Sequence, residues 1–225
     1  MDIESVQDAV IVSRNHTVCL VGGARVNPQV ITSILPIVDH FVAVDGGADH
    51  LLDAGISPRA VIGDLDSLSE HARATFAAQI THIPEQATTD FEKALTRVAN
   101  PMIIALGFTG GRMDHILAVL NVLARNTARA VILLDETDLC FVARIGETRI
   151  APPAGTRIAL MPLAAARVTA TGLRWSFADQ DMHPTGFISS SNEVAGPVTV
   201  QTDGPVLITL PAAHLQIAMQ AAARG

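Results

Sequence analysis

The chain has 225 residues, of which 49% are hydrophobic and 16% are charged, with a formal net charge of −7 at pH 7. This composition excludes an intrinsically disordered chain and suits one large domain or two small ones. The excess of acids and the lack of a lysine or arginine cluster argue against nucleic-acid binding, and no apolar run reaches the ~18 residues that a membrane span requires.

The N-terminal residues and the cysteines indicate the compartment. The first ten residues, MDIESVQDAV, carry acids where a signal peptide carries bases, so they are interpreted as a short lead-in. Cys19 and Cys140 both lie in apolar runs, which is typical of buried thiols rather than of a disulfide framework. We therefore expect a cytoplasmic protein.

Up to about residue 137, short β-rich runs alternate with helical patterns. Asn27 is placed to cap the first helix, with Pro28 in its first turn, and Thr89 forms a capping-box pattern with Glu92 at a later helix start. The alternation predicts βα units and a mostly parallel sheet covered by helices on both faces. The predicted strands are TVCLVGG (17–23), FVAVDGGA (41–48), RAVIGDLDS (59–67), THIP (81–84), PMIIALG (101–107) and AVILLDE (130–136).

After about residue 137 the pattern changes to short β-type runs separated by Gly, Pro and Asp, until the last residues. These runs predict a small β-sandwich, with TDGP (202–205) as a hairpin turn between two of its strands. The predicted fold class is therefore α/β. An N-terminal, mostly parallel α/β sheet domain occupies residues 1–138, and a C-terminal all-β sandwich domain occupies residues 139–225.

Aspartates follow two of the predicted parallel strands. Asp45 ends the second strand, and Asp64 and Asp66 end the third, where their spacing puts both on one side of an extended segment. Ligands of open α/β sheets bind beyond the carboxyl ends of the strands, and paired carboxylates there suit Mg²⁺. Each aspartate alone also fits a turn or a cap, and Asp90 at its helix start fits a favourable interaction with the helix dipole. Their convergence at one sheet edge favours a metal site.

The segment GFTGGRMDH (107–115) is suited to phosphate. Gly110 and Gly111 allow main-chain N–H groups to approach an anion near the start of a helix, and Arg112 adds a planar guanidinium fork. The segment is not a Walker A loop, and GGA (22–24) is not a dinucleotide-binding fingerprint. The residues therefore indicate Mg²⁺ held by aspartates, a phosphate-rich ligand and transfer of a phosphoryl-type group.

Six segments in a fixed order carry a family resemblance: DGGAD (45–49), GDLDS (63–67), TTDFEKAL (88–95), GFTGGRMDH (107–115), TGLRW (171–175) and SSSNE (189–193). In these segments the chain resembles the thiamine pyrophosphokinases. The resemblance implies transfer of the diphosphate of ATP to the hydroxyl of thiamine, giving thiamine diphosphate and AMP. It also implies Mg²⁺ and a homodimer with shared active sites, in which each chain has an α/β catalytic domain and a thiamine-binding β-sandwich.

The resemblance further implies roles for individual residues. Mg²⁺ would be held by Asp64, Asp66 and Asp90. Asp45 and Asp114 are both candidates for accepting the proton of the thiamine hydroxyl, whereas His115 opens a helix and is interpreted as packing or capping there. The nucleotide would be bound by residues of the loops after the strands: Gly22, Gly23, Gly46, Gly47, Thr89, Gly110, Gly111 and Arg112.

The second half of the chain would supply the thiamine site. The resemblance implies that Trp175 and the pair Ser191 and Asn192 hold thiamine across the dimer interface. The chain departs from the family pattern at two positions, because Ala87 stands where an aspartate is frequent and Val119 where an asparagine is frequent. The first departure removes one acidic contact, but the other aspartates remain and metal binding is still expected.

Three other functions are compatible with parts of the pattern. A phosphatase of the haloacid-dehalogenase type also uses Asp-x-Asp, but there the motif follows the first strand, whereas in this chain it follows the third predicted strand. A Mg²⁺-dependent diphosphokinase could act on another small alcohol, such as a pterin. A non-catalytic module could sense nucleotide and thiamine without releasing AMP.

Overall fold

The computed structural model describes residues 17–223, and the lead-in predicted over the first ten residues lies outside this range. Six parallel strands form its first part, in the spatial order β6-β5-β1-β2-β3-β4. They are β1 (Thr17–Val21), β2 (His40–Val44), β3 (Ala60–Gly63), β4 (Ile80–His82), β5 (Met102–Leu106) and β6 (Val131–Leu134). The helices between them are α1 (Pro28–Ile34), α2 (Gly47–Asp53), α3 (Glu70–Thr75), α4 (Asp90–Arg97) and α5 (Met113–Arg125). The predicted parallel α/β arrangement is confirmed.

Two helix starts follow the predicted capping chemistry. The Asn27 side chain accepts a hydrogen bond from the main-chain N–H of Gln29 at 2.9 Å, and Thr89 accepts one from Glu92 at 3.3 Å. The carboxylate of Glu92 accepts two hydrogen bonds from Arg125, at 2.8 and 2.9 Å. The acid of the predicted capping box thus links α4 to α5.

Helices cover both faces of the parallel sheet. On one face, α4 and α5 bury Phe91, Leu95 and Val122 against the strands. On the other, α1 and α2 bury Ile31 and Leu51 in a core that continues into the β-rich part. The continuous apolar strands follow from this burial on both sides. None of the helices within residues 17–223 has the length and apolar character to cross a membrane.

The β-rich part is joined to the parallel sheet by main-chain hydrogen bonds. Its first strand, β7 (Asp138–Val142), pairs antiparallel with β6, so the sheet continues past residue 138. Beyond β7 follow β8 (Gly146–Ile150), β9 (Arg157–Pro162), β10 (Ala166–Leu173), β11 (Phe177–Met182), β12 (Ser189–Thr202), β13 (Val206–Pro211) and the helix α6 (Leu215–Ala223). Helix α6 packs against β5, β6, β7 and β8.

Strand β12 belongs to two layers. Residues 189–193 pair with β9 in the layer that continues the parallel sheet, and residues 194–202 pair with β8 and β10 in the second layer. The register shifts between Ser189 and Asn192, and Ser191 in this bulge has a φ of 53°. The strand passes from one layer to the other after Glu193, where a second irregularity in its pairing with β10 lies between Val194 and Thr199.

The predicted hairpin at TDGP is wrong. Thr202 and Gly204 do form a tight bend, because the Thr202 hydroxyl donates to the Gly204 carbonyl oxygen at 2.9 Å. The end of β12 nevertheless pairs with β8 and β10, whereas β13 pairs with β7 and β9. The bend therefore carries the chain from one layer to the other. The prediction failed because turn residues determine the local bend but not the strand with which the next strand pairs.

Candidate active site

The loops after β1, β2, β3 and β5 lie at one edge of the sheet. The strand order reverses between β1 and β5, and ligands of open α/β sheets bind at such a reversal. The loops after β1 and β5 are in contact there. The main-chain N–H of Gly22 donates to the Leu106 carbonyl oxygen at 2.8 Å, and that of Ala24 donates to the Gly107 carbonyl oxygen at 3.0 Å. Beside them lies a cavity of about 180 Å³, lined in part by Arg25, Asn27, Thr109, Gly110 and Asp135.

Three carboxylates come together beyond β2 and β3. One oxygen of each of Asp45, Asp64 and Asp66 lies within 4.8 Å of the others. The two strands are parallel neighbours with Val44 opposite Ile62, so the residues that follow them are adjacent. This group contains Asp64 and Asp66 of the three predicted ligands, with Asp45 in place of Asp90.

Asp45 is the buried member of this group. Its φ is 47°, a left-handed conformation that aspartate tolerates, and only 8% of the residue is exposed. Burial raises the pKa of the Asp45 carboxyl; the Ser67 hydroxyl opposes the rise, and the charges of Asp90 and Asp66 add to it. Its Oδ1 is buried and has no hydrogen-bond partner among the described residues. An unpaired buried oxygen beside two further acids fits a bound cation.

Asp64 is held in one orientation by its neighbours. Its Oδ2 accepts a hydrogen bond from Gln86 at 2.8 Å and lies 3.6 Å from the ammonium nitrogen of Lys93. Its Oδ1 lies 3.4 Å from the main-chain nitrogen of Asp66. The hydrogen bond from Gln86, together with the charge of Lys93, holds the pKa of Asp64 below its ordinary value. Asp64 is therefore ionised at neutral pH.

Asp90 contacts the group from the start of α4. Its Oδ1 accepts hydrogen bonds from the main-chain N–H of Asp64 at 3.3 Å and from the Lys93 ammonium at 3.0 Å. Because Asp90 and Lys93 are three residues apart on one helix, both point to the same side. The structure thus places Asp90, a predicted metal ligand, next to Asp64 and paired with Lys93.

Sequence reasoning missed Gln86, Lys93 and Gly63. A lone lysine in a helix is usually exposed, so Lys93 gave no signal beyond its spacing of three from Asp90. Gly63 has a φ of 155°, and a Cβ there would lie only 3.0 Å from the Cβ of Asp45. Glycine is therefore needed at the end of β3 for the carboxylates to approach one another.

Some of the predicted nucleotide-binding residues also have clear structural roles. A Cβ on Gly47 would lie 1.8 Å from the Val21 carbonyl oxygen, so this glycine allows α2 to pack against the end of β1. Thr89 caps α4 with its hydroxyl. Three further predicted glycines lie in the loops after β1 and β2: Gly22, Gly23 and Gly46.

The predicted phosphate-binding segment is exposed. Gly110 and Gly111 have φ values of 79° and 71°, and Arg112 immediately precedes α5. The Arg112 guanidinium donates two hydrogen bonds to the carboxylate of Asp114, at 3.1 and 2.6 Å. This contact holds the pKa of Asp114 below its usual range. His115 is exposed on the first turn of α5.

Trp175 lies in the turn between β10 and β11 and is 57% exposed, with the Arg174 guanidinium carbon 4.9 Å from its ring centroid. Asn192 is buried beneath this turn. Its amide oxygen accepts the main-chain N–H of Trp175 at 3.2 Å, and its amide nitrogen donates to the Trp175 carbonyl oxygen and to the Ser189 hydroxyl, both at 3.0 Å. Ser191 is exposed on the neighbouring bulge. The Asn192 amide is thus engaged within the protein, and we expect it to act through Trp175.

Two family models match the chain. Residues 33–133 match the thiamin pyrophosphokinase catalytic domain, and residues 147–207 match the thiamin pyrophosphokinase vitamin B1 binding domain. The chain belongs to the thiamine pyrophosphokinase family. The segments that suggested the resemblance lie within these two matches.

Related proteins agree with this family, and a solved structure has a similar fold. Thiamine pyrophosphokinase 2 of Oryza sativa subsp. japonica is 27% identical over 211 residues, covering 77% of this chain and 78% of that protein. Thiamine pyrophosphokinase of Bacillus subtilis is 40% identical over 90 residues, covering 37% of this chain and 42% of that protein. The structure of thiamin pyrophosphokinase from Candida albicans has a TM-score of 0.77 at 18% identity, covering 91% of this chain and 96% of that one.

Membership of the thiamine pyrophosphokinase family confirms the predicted enzyme class, an ATP-dependent diphosphotransferase acting on thiamine. The similar structures confirm the predicted fold class, an α/β sheet followed by a β-rich part. The comparisons do not support the phosphatase, the pterin diphosphokinase or the non-catalytic sensing module.

Proposed function

We propose that this member of the family transfers the diphosphate of ATP to thiamine at the sheet edge that carries Asp45, Asp64 and Asp66, with Mg²⁺ held by these three carboxylates. The unpaired, buried Oδ1 of Asp45, together with the 4.8 Å grouping of the three residues, is the observation that carries this proposal. Hard oxygen donors of this kind suit Mg²⁺, which completes its coordination with phosphate oxygens and water. Bound there, Mg²⁺ would neutralise charge on the phosphate oxygens during the transfer.

ATP is proposed to lie along the loops after β1 and β5, at the reversal of strand order. Its phosphates would meet the main-chain N–H groups of Gly110 and Gly111 and the guanidinium of Arg112. The side chains of Arg112 and Asp114 are 71% and 63% exposed, so their ion pair is weak and the guanidinium can exchange the carboxylate for phosphate. Asp114 holds Arg112 close to its phosphate-binding position until ATP binds.

The chemical step joins the thiamine hydroxyl oxygen to the β-phosphorus of ATP, and the hydroxyl proton passes to a carboxylate, for which Asp45 and Asp114 are the two candidates. The bond from the β-phosphorus to the oxygen bridging to the α-phosphorus breaks, and AMP leaves with that oxygen. Such a transfer depends mainly on positioning and charge neutralisation. Mg²⁺ held by the three carboxylates of the sheet edge and the guanidinium fork of Arg112 would supply both.

Thiamine is proposed to bind on Trp175 of one protomer and to reach the carboxylates of a second protomer. Within one chain, six strands lie between β12, which carries Asn192, and β2, which leads to Asp45. At ~4.8 Å for each of the seven spacings, this path along the sheet is roughly 34 Å, which is longer than thiamine. A homodimer with shared active sites brings the two parts together.

The enzyme is also proposed to be cytoplasmic. Cys19 and Cys140 are free thiols in the structure, and burial raises the pKa of Cys140 to about 12. Reduced, unreactive thiols of this kind are typical of proteins in a reducing compartment.

The proposed function is tested by following AMP formation with thiamine, ATP and Mg²⁺. We expect AMP and thiamine diphosphate in equal amounts, loss of both after chelation of divalent cations, and recovery when Mg²⁺ is restored. A parallel reaction with a hydroxymethyl pterin as acceptor is the control. AMP formation that is faster with the pterin, or that is unchanged by chelation, would contradict the proposal.

A further inference from the structure

Lys93 is a buried cation beside the proposed metal site. It is 2% exposed and is one of the largest fully buried side chains among residues 17–223. Its ammonium nitrogen lies 3.0 Å from Oδ1 of Asp90 and 3.6 Å from Oδ2 of Asp64. Burying an ammonium group is costly unless carboxylates surround it, and an apolar side chain could fill the same volume without that cost. The position of Lys93 therefore favours a role in arranging these carboxylates.

The contacts of Lys93 divide the oxygens of Asp64 between two directions. Oδ2 faces Gln86 and the buried Lys93, whereas Oδ1 faces the main-chain nitrogen of Asp66. Asp90 supports the same arrangement, since its Oδ1 accepts hydrogen bonds from both the main-chain N–H of Asp64 and the Lys93 ammonium. Lys93 thus connects the loop after β3 to the first turn of α4.

We propose that Lys93 is a positioning residue that holds Asp64 and Asp90 side by side against their mutual repulsion, so that Oδ1 of Asp64 is presented with Asp45 and Asp66 to the cation. This inference rests on the proposed function, because it assumes a divalent cation at those three carboxylates. Lys93 itself contacts neither the cation nor the substrate. Outer contacts of this kind orient ligating groups, and their loss typically weakens metal binding 10- to 100-fold.

The direction of the change in metal affinity separates positioning from simple electrostatics. Removing a positive charge beside carboxylates would by itself strengthen cation binding, because the site becomes more negative. Loss of positioning has the opposite effect, since Asp64 and Asp90 then repel each other and Asp64 turns away. Mn²⁺ binding to the enzyme without substrates, measured from the electron paramagnetic resonance signal of free Mn²⁺, reports this sign directly.

The decisive variant is Lys93→Met, which keeps the length of the side chain and removes its charge. We expect its Kd for Mn²⁺ to rise about tenfold or more. Adding Asp90→Asn removes the repulsion that Lys93 offsets, so the double variant should bind Mn²⁺ within about threefold of the wild-type enzyme. Arg125→Met is the matched control, because it breaks an ion pair that Arg125 of α5 forms with Glu92 on α4, the helix of Lys93, and it should leave Mn²⁺ binding unchanged.

Each result bears on the inference. Mn²⁺ binding by a folded Lys93→Met enzyme that equals or exceeds that of the wild type would overturn it, and so would a double variant no better than the single one. If Lys93→Met does not fold, the double variant with Asp90→Asn is compared with Asp90→Asn alone. Weak Mn²⁺ binding by the double variant, together with normal Mn²⁺ binding by Asp90→Asn, would also overturn the inference. If Asp64→Asn binds Mn²⁺ as tightly as the wild-type enzyme, the proposed metal site itself is wrong, and this role of Lys93 is wrong with it.

Discussion

Asn192 holds Trp175 by both main-chain polar groups, accepting its N–H at 3.2 Å and donating to its carbonyl oxygen at 3.0 Å. The buried amide belongs to the bulge of β12, and the tryptophan belongs to the turn between β10 and β11. The exposed indole is therefore fixed by a side chain that is itself 4% exposed. Asn192 is thus expected to support the turn, and Trp175 is expected to contact thiamine.

Replacing Asn192 with leucine should damage the thiamine site without direct loss of a substrate contact. The variant leaves the Trp175 N–H and carbonyl without their partner, so we expect the free energy of unfolding to fall by about 1–3 kcal/mol. The KM for thiamine should rise while the KM for ATP stays near its wild-type value. Urea unfolding and steady-state kinetics measure the two effects. Ser190→Ala, at an exposed position of the same bulge, is the control and should change neither quantity.

Thiamine should change the fluorescence of Trp175, which is the sole tryptophan in a chain that has no tyrosine. We expect saturable quenching or a shift with thiamine and a much smaller change with ATP alone. Trp175→Ala should raise the thiamine KM by about 2- to 30-fold, which corresponds to a cation–π contribution of about 0.5–2 kcal/mol, with a smaller effect on kcat. Saturation in the activity assay without any change in emission would show that thiamine binds away from the indole.

How far the site could be predicted depended on whether its signals are local. The helix starts at Asn27 and Thr89 were correct because a cap is determined within three or four residues. The pair of Asp64 and Asp66 was likewise visible in a single loop. Its convergence with Asp45 at one sheet edge was expected, but the grouping within 4.8 Å depends on β2 and β3 being neighbours, which no local pattern determines.

Two other results could not be obtained from the sequence for physical reasons. The charge of Lys93 indicates an exposed residue, and only the packing of α4 against β3 shows that it is buried beside carboxylates. The TDGP segment has the composition of a hairpin turn, but β13 pairs with strands of the other layer. In both cases the tertiary arrangement overrides the residue preference.

Neutralising the carboxylate group should impair the chemical step. We expect Asp45→Asn, Asp64→Asn and Asp66→Asn each to lower kcat by about a hundredfold or more at limiting Mg²⁺, because charge stabilisation of several kcal/mol is lost. Rates of AMP formation as a function of Mg²⁺ concentration test this. Asp53→Asn, at the exposed end of α2, is the control. Near-normal turnover of a folded variant at limiting Mg²⁺ would remove that aspartate from the metal site.

The planar fork of Arg112 should matter more than its charge. Arg112→Lys keeps the positive charge but loses paired contact with phosphate oxygens, so we expect kcat/KM for ATP to fall about tenfold or more. Asp114→Asn should have a smaller effect, since it frees Arg112 without removing a phosphate contact. Arg125→Lys is the control, because Arg125 forms a similar double contact with Glu92 on the outside of α4 and α5. Full activity of Arg112→Lys would show that Arg112 acts only through its positive charge and that its planar fork is not needed.

Shared active sites predict that two defective chains can restore each other. Trp175→Ala damages the thiamine platform, and Asp64→Asn damages the carboxylate group, but a heterodimer of the two contains one site in which both parts are intact. Random exchange of subunits should therefore yield about a quarter of the wild-type activity at low thiamine, from half the dimers with one working site each. Subunit exchange is verified by native mass spectrometry of differently tagged chains, and a mixture of two Asp64→Asn preparations is the control. A mixture with verified heterodimers that is no more active than the average of its two parents would show that each site is built within one chain. Asp45 and Trp175 of one chain would then approach each other by a route other than the sheet.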